Sequence, residues 1–182
     1  MTAVINVDSR EAARELKRMG RALESHRKGE VNRAVSRVLN RNLSTIKSRV
    51  VRGAASAMQL KQKTLRPRVA IRRSTPARLS GKVWVGLNPI TAQAAGAKPA
   101  DEGYAVGPYH WPNAFSNAKL HGGIFERKGR ARLPIKKAVF GEQFVGPTLR
   151  RVTNTVAREN LDNDFRLRLF KELDHRWSKI LS

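Results

Sequence analysis

The chain predicts an α+β fold: two N-terminal helices and a long C-terminal helical segment packed on a small, mainly antiparallel sheet, with a long irregular loop. Three observations predict it. Apolar residues recur every three or four positions near both ends, alternate with polar ones from residue 68 to 87, and follow neither period from 88 to 123. The 182 residues, 40% of them hydrophobic, suit one domain spanning 1–182.

Val4, Ile5 and Val7 predict an opening strand, and Asp8-Ser9 followed by Glu11 is an N-cap with acid in the first turn. A helix is expected from about Ser9 to about Arg27, with Leu16, Met19 and Leu23 in its apolar stripe. After Gly29 a second helix should run from about Glu30 to about Arg52, because Val31, Val35, Val38, Leu39, Ile46 and Val50 line one side. Gly53-Ala54-Ala55-Ser56-Ala57 is expected to loosen it, and Pro67 to forbid further helix. Val69 and Ile71, then Leu79, Val83, Val85 and Leu87, predict an antiparallel hairpin around a Thr75-Pro76 turn. Residues 88–123 read as an irregular excursion of the kind that binds something or is disordered. Short strands follow around Ile124-Phe125-Glu126-Arg127, Leu133-Pro134-Ile135 and Val139-Phe140. A last helical stretch should begin after Gly146-Pro147, with the proline at a first helical position. Its stripe is Leu149, Val152, Val156, Leu161, Phe165, Leu169, Leu173, Trp177 and Ile180, with a kink at 160–164.

Charge is the strongest functional signal. Lys and Arg number 37 against 14 Asp and Glu, a net charge of +23. From Val31 to Ala100, 70 consecutive residues hold 15 of those cations and no acid. Such a run repels itself and needs counter-charge, so the partner is expected to be acidic. Candidate contacts are Arg33, Arg37 and Arg41, stepping by four along the second helix, and Arg66, Arg68, Arg72, Arg73 and Arg78 around the hairpin. A solvated helix face is the plain alternative for the first three. Tyr104, Tyr109, Trp111 and Phe115, set in a Gly/Pro-rich loop, are candidates for a protein interface, since aromatics offer large contact area at little entropic cost.

Catalytic and cofactor chemistry lacks local support. With 0 cysteines there is no disulfide, thiolate metal site or cysteine nucleophile. His26, His110, His121 and His175 form no metal-ligand pair, and the phosphate-loop, dinucleotide and nucleophile-elbow patterns are missing. No cofactor, metal or enzymatic activity is expected. No window is apolar enough to span a bilayer and the N-terminus lacks a secretory pattern, so the chain reads as a soluble, unsecreted protein without a membrane partner.

Short blocks carry a family resemblance: Val31-Asn32-Arg33-Ala34-Val35, Val83-Trp84-Val85-Gly86-Leu87, and Gly123-Ile124-Phe125-Glu126-Arg127 leading to Arg130-Ala131-Arg132-Leu133-Pro134-Ile135. Together they resemble the lambda-like phage minor tail protein Z, or tail completion, family. The resemblance implies a structural virion protein at the head-proximal end of the tail, made in the host cytoplasm and needed for tail completion and head–tail joining. It implies neighbours among the tail terminator, tail tube or connector rings, and a homo-oligomeric ring, often sixfold. The acidic partner is then the next protein ring or the DNA end. A free basic nucleic-acid-binding protein is the alternative, supported by charge alone; a nuclease is a third reading, for which no acid spacing speaks.

Overall fold

The structure is a computed structural model that describes residues 2–8, 28–129, 131–159 and 165–181. The expected first helix, its stripe and the 160–164 kink lie outside the described residues. The organising element is helix α1 (Lys28–Ala57), a rod of 30 residues. Ala34, Val35, Val38, Leu39, Leu43, Ile46 and Val50 are all 1% exposed or less, which makes one side of the rod the centre of the core. The stripe anticipated from helical spacing is therefore the buried one.

The helix does not loosen at Gly53. It runs on to Ala57 because Gly53 is a point of close approach: a Cβ there would sit 2.9 Å from Val152 Cγ1 on a later helix. Past it come α2 (Gln62–Leu65), a single turn ending in Leu65, and a 3₁₀ turn at Arg66–Arg68 that contains Pro67.

Strands β1 (Thr2–Asp8), β2 (Val69–Arg72) and β3 (Ser80–Gly86) form an antiparallel sheet ordered β1-β3-β2. The expected hairpin is present, with Val69 opposite Val85, Ile71 opposite Val83, and Thr75 bridged to Arg78 at the turn. Alternation sorts its faces: Val69, Val83 and Val85 are buried toward α1, whereas Ala70, Lys82 and Trp84 look outward. Contact with α1 is close enough that a Cβ on Gly81 would strike Leu43 Cδ1. Asn40 ties the hairpin turn to the helix, its Nδ2 donating to the Ser74 carbonyl at 3.0 Å while the Ser74 N–H donates to Asn40 Oδ1 at 2.8 Å.

The irregular excursion expected at 88–123 is corrected. It holds α3 (Ala92–Ala95), capped by Thr91, and four short strands: β4 (Lys98–Pro99), β5 (Tyr104–Val106), β6 (Tyr109–Trp111) and β7 (Ala114–Ser116). The first three make a small sheet, β4-β5-β6; the fourth joins β8 (Ile124–Arg127) and β9 (Ile135–Lys137) in another, β7-β8-β9. Strands of two or three residues are too short to display a period, which is why the segment looked patternless. The stretch 88–92 is clamped to 138–140 through Ala92 N–H to the Ala138 carbonyl and Phe140 N–H to the Ile90 carbonyl, both 2.8 Å.

Helix α4 (Glu142–Glu159) begins one turn before Pro147, not at it. The Gly141 carbonyl accepts from the N–H groups of Phe144 and Val145, and fully buried Val145 anchors that turn. Helix α5 (Phe165–Leu181) follows, and both helices lie against α1. Leu149, Val156, Phe165, Leu169 and Leu173 are buried as their spacing predicts, and Val152 is half-buried under Gly53; Leu161 and the side chains of Trp177 and Ile180 lie outside the described residues. One contiguous buried cluster joins α1, the β1-β3-β2 sheet, Trp111, Ile124, Phe140 and the last two helices. The fold is α+β.

Candidate functional site

With the core on one side of α1, its cations are forced to the other. Arg33, Arg37 and Arg41 are exposed, and Arg52 lies further along the same outer side. Ser44, Thr45 and Ser48 among them donate their hydroxyls to the carbonyls of Asn40, Arg41 and Ser44, all near 3 Å, so the ridge between the arginines is smooth and short-chained. Arg41 meets Glu172 of α5 at 3.0 Å and Arg168 donates to Thr45 Oγ1 at 3.0 Å, so α5 covers the middle of the ridge.

Around the hairpin the candidates separate. Arg66, Arg72, Arg73 and Arg78 are exposed, and Arg78 leans back to donate to the Arg73 carbonyl at 3.4 Å. Arg68 has a different job. Its Nη1 donates to the Asn88 carbonyl and its Nη2 to the Pro89 carbonyl at 2.8 Å, pinning the segment that leaves β3. Desolvation by burial lowers its pKa from the ordinary guanidinium value. As a partner-contact candidate Arg68 is corrected: its fork is already filled by two carbonyls.

The aromatic candidates are corrected as well: Trp111, Tyr109 and Tyr104 turn toward the core, and Phe115 is half-buried beside Arg127. Trp111 is 7% exposed and meets Phe140 edge-on at 5.0 Å, with its indole N–H donating to the Val139 carbonyl at 3.4 Å. Tyr109 packs on Phe140 at 4.6 Å and Phe144 at 5.6 Å, and burial raises its phenol pKa. Tyr104 is half-buried against the core, and Phe115 is half-buried beneath the Arg127 guanidinium at 5.5 Å. Apolar area in a Gly/Pro-rich stretch was read as area for a partner; here the core takes it.

Two basic features fall outside the candidate set. A cleft of about 610 Å³ opens between the Asn88-Pro89 turn and the start of α4, with Pro147, Arg150 and Arg151 on its lip. The β8–β9 hairpin exposes Arg127, Lys128, Arg132, Lys136 and Lys137, and among the described residues Lys136 lies beside an acid, Glu126, at 3.4 Å. The signal for the hairpin was in the chain, five cations from 127 to 137 besides Arg130, but it lay outside the acid-free run that drew attention. Among the described residues no group of three or more His, Asp or Glu could hold a metal ion, and no helix is long and apolar enough to cross a membrane.

The chain matches no known family by its profile, no characterised protein and no solved structure.

Proposed function

We propose that this chain is a structural virion protein of the tail completion kind, docking at the head-proximal end of a phage tail by shape and charge, without catalysis. The observation that carries the reading is the spread of exposed cations over separate bands: the α1 ridge, the β2–β3 turn with Arg66, Arg72, Arg73 and Arg78, and the β8–β9 hairpin. A core-bearing domain tolerates such a charge when it is spread out and answered by acidic neighbours. Docking also needs apolar area. Leu167 and Phe170, 56% and 52% exposed on α5, supply it away from the α1-facing side, suiting a copy of the chain or the next ring. The resemblance of residues 123–135 to the tail completion pattern adds the place in the virion.

The test is charge reversal at Arg66, Arg72 and Arg73, three exposed side chains whose loss leaves the core intact. Complementation of a phage lacking the gene should yield unjoined heads and tails and a titre down by orders of magnitude. Normal titre from that variant would remove the reading. The free nucleic-acid binder is separated by imaging, since it leaves finished particles without the chain.

A further inference from the structure

We propose that the β8–β9 hairpin is a contact arm for duplex DNA, with Lys128, Arg132 and Lys137 placed on phosphates and Leu133 leading into the groove. This stands on the hairpin alone and goes beyond the assembly reading. Its base is fixed: Ile124 and Ala138 are 5% and 0% exposed, and the Ala138 N–H donates to the Ile124 carbonyl at 2.9 Å. Beyond the base the ribbon leaves the body, held by the Lys128 N–H to the Pro134 carbonyl at 3.1 Å, and every described side chain from 127 to 134 is exposed. Leu133 is 68% exposed, the most open of the large apolar side chains recorded as exposed.

The distribution of charge selects the partner. Register puts Phe125, Arg127, Ile135 and Lys137 on one face of the ribbon and Glu126 and Lys136 on the other, so both faces and the tip carry cations. A flat acidic protein surface meets one face of a ribbon; a groove walled by two phosphate strands meets both. β7 pairs with β8 only as far as Glu126, so from Arg127 and Ile135 onward two strands about 4.8 Å apart remain. These fit a B-form major groove about 12 Å wide, whereas the deep, narrow groove of duplex RNA excludes them. Single strands would instead need open rings for stacking, and here Arg127 lies over Phe115 while Phe125 is half-buried.

The test is fluorescence anisotropy of the full chain on a short labelled DNA duplex across a salt series. Three proteins are compared: the parent, Lys128→Ala/Arg132→Ala/Lys137→Ala, and a control of equal charge loss, Lys61→Ala/Lys63→Ala/Lys98→Ala, whose side chains are all exposed elsewhere. Each phosphate contact contributes about 0.9 to the slope of log K against log salt, so the hairpin variant should lose about 2.7 while the control keeps the parent slope. Leu133→Ser should weaken binding severalfold at an unchanged slope, and the duplex RNA counterpart should bind the parent more weakly than DNA. Equal slopes for parent and hairpin variant, or equal losses in hairpin variant and control, overturn the arm. An unchanged affinity for Leu133→Ser, or RNA and single strands bound as tightly as duplex DNA, overturns groove entry. Absence of DNA binding by the parent overturns the proposal outright and leaves the arm to an acidic protein.

Discussion

The two three-stranded sheets that bracket the chain's middle use similar residues to opposite ends. In β1-β3-β2, valines on one face are sealed by α1, and the nearby arginines include one that is spent on the fold, Arg68. In β7-β8-β9, only the base reaches the core, and the basic residues of its hairpin stand in solvent. The same side chain is thus a structural clasp where burial surrounds it with carbonyls and a solvent-facing charge where it does not. Charge in a sequence says how much counter-charge is needed; packing says which cations remain to meet a partner.

The largest expected difference between the sheets is at glycine. Gly81→Ala puts a methyl into Leu43, which is 0% exposed and has no room to retreat, and within 3.2 Å of the Arg72 carbonyl. Overpacking of this kind costs about 3 kcal/mol. Gly129→Ala on the hairpin meets nothing within 4 Å and should change stability by less than about 0.5 kcal/mol. Urea unfolding of both variants decides: equal losses would mean that the hairpin is packed as tightly as the helix-backed sheet.

A smaller contrast separates two kinds of cation. Arg68→Ala leaves the Asn88 and Pro89 carbonyls without their charged donor, and hydrogen bonds of that kind are worth about 2 kcal/mol. Arg68→Lys should recover little of it, because an ammonium cannot reproduce the planar fork. Lys128→Ala, with an exposed side chain, should leave the melting temperature within error. If thermal unfolding shows Arg68→Ala as harmless as Lys128→Ala, Arg68 returns to the set of contact candidates.

Much of the helix-backed half was legible in the chain, because a long helix and a seven-residue strand show their periods over enough residues to read. The alternation that places Val83, Val85 and Leu87 in the hairpin puts them on one face, and all three are buried while Trp84 between them is 46% exposed. The stretch 88–123 was not legible for a physical reason: its elements are two to four residues long, too short to show a period, and their stability comes from partners distant in sequence. Trp111 is buried because Phe140 and the Val139 carbonyl come to it, and nothing local to Trp111 announces them. Gly53 failed similarly, since a glycine admitting Val152 looks the same in sequence as one that ends a helix. Of the basic candidates, helical spacing put Arg33, Arg37 and Arg41 on the exposed side of α1 but did not show Glu172 meeting Arg41, and Arg68 needed the Asn88-Pro89 turn to reveal its role.

Asn42 offers a gain in place of a loss. It is 0% exposed on α1, and neither side-chain atom has a hydrogen-bond partner among the described residues. A buried amide left unpaired carries a desolvation penalty, so Asn42→Leu, which keeps the branched four-heavy-atom skeleton and is apolar like its neighbours Leu39 and Ile46, should stabilise the chain by about 1 kcal/mol. Calorimetry would show this as a higher melting temperature; a lower one would mean that the amide has a partner and that this side of the helix is polar by construction.

The smallest effect is one of pH and belongs to the second half alone. Burial against Phe140 and Phe144 raises the Tyr109 phenol above its ordinary pKa of 10.0, so the folded chain holds that proton more tightly than the unfolded chain does. Linkage then fixes the sign. Below pH 10 the phenol is neutral in both states and its contribution is fully present; above it the unfolded chain ionises first, and stability falls until the folded pKa is passed. Tyr109→Phe removes this slope while keeping the ring contacts. The readout is the difference between parent and Tyr109→Phe, which cancels what the two share, followed by urea midpoint from pH 9 to about 11. If the hydroxyl matters only through ionisation, the two midpoints coincide near pH 9 and the parent falls below Tyr109→Phe as pH rises. A constant difference would place the phenol in solvent and return Tyr109 to the set of partner-facing aromatics.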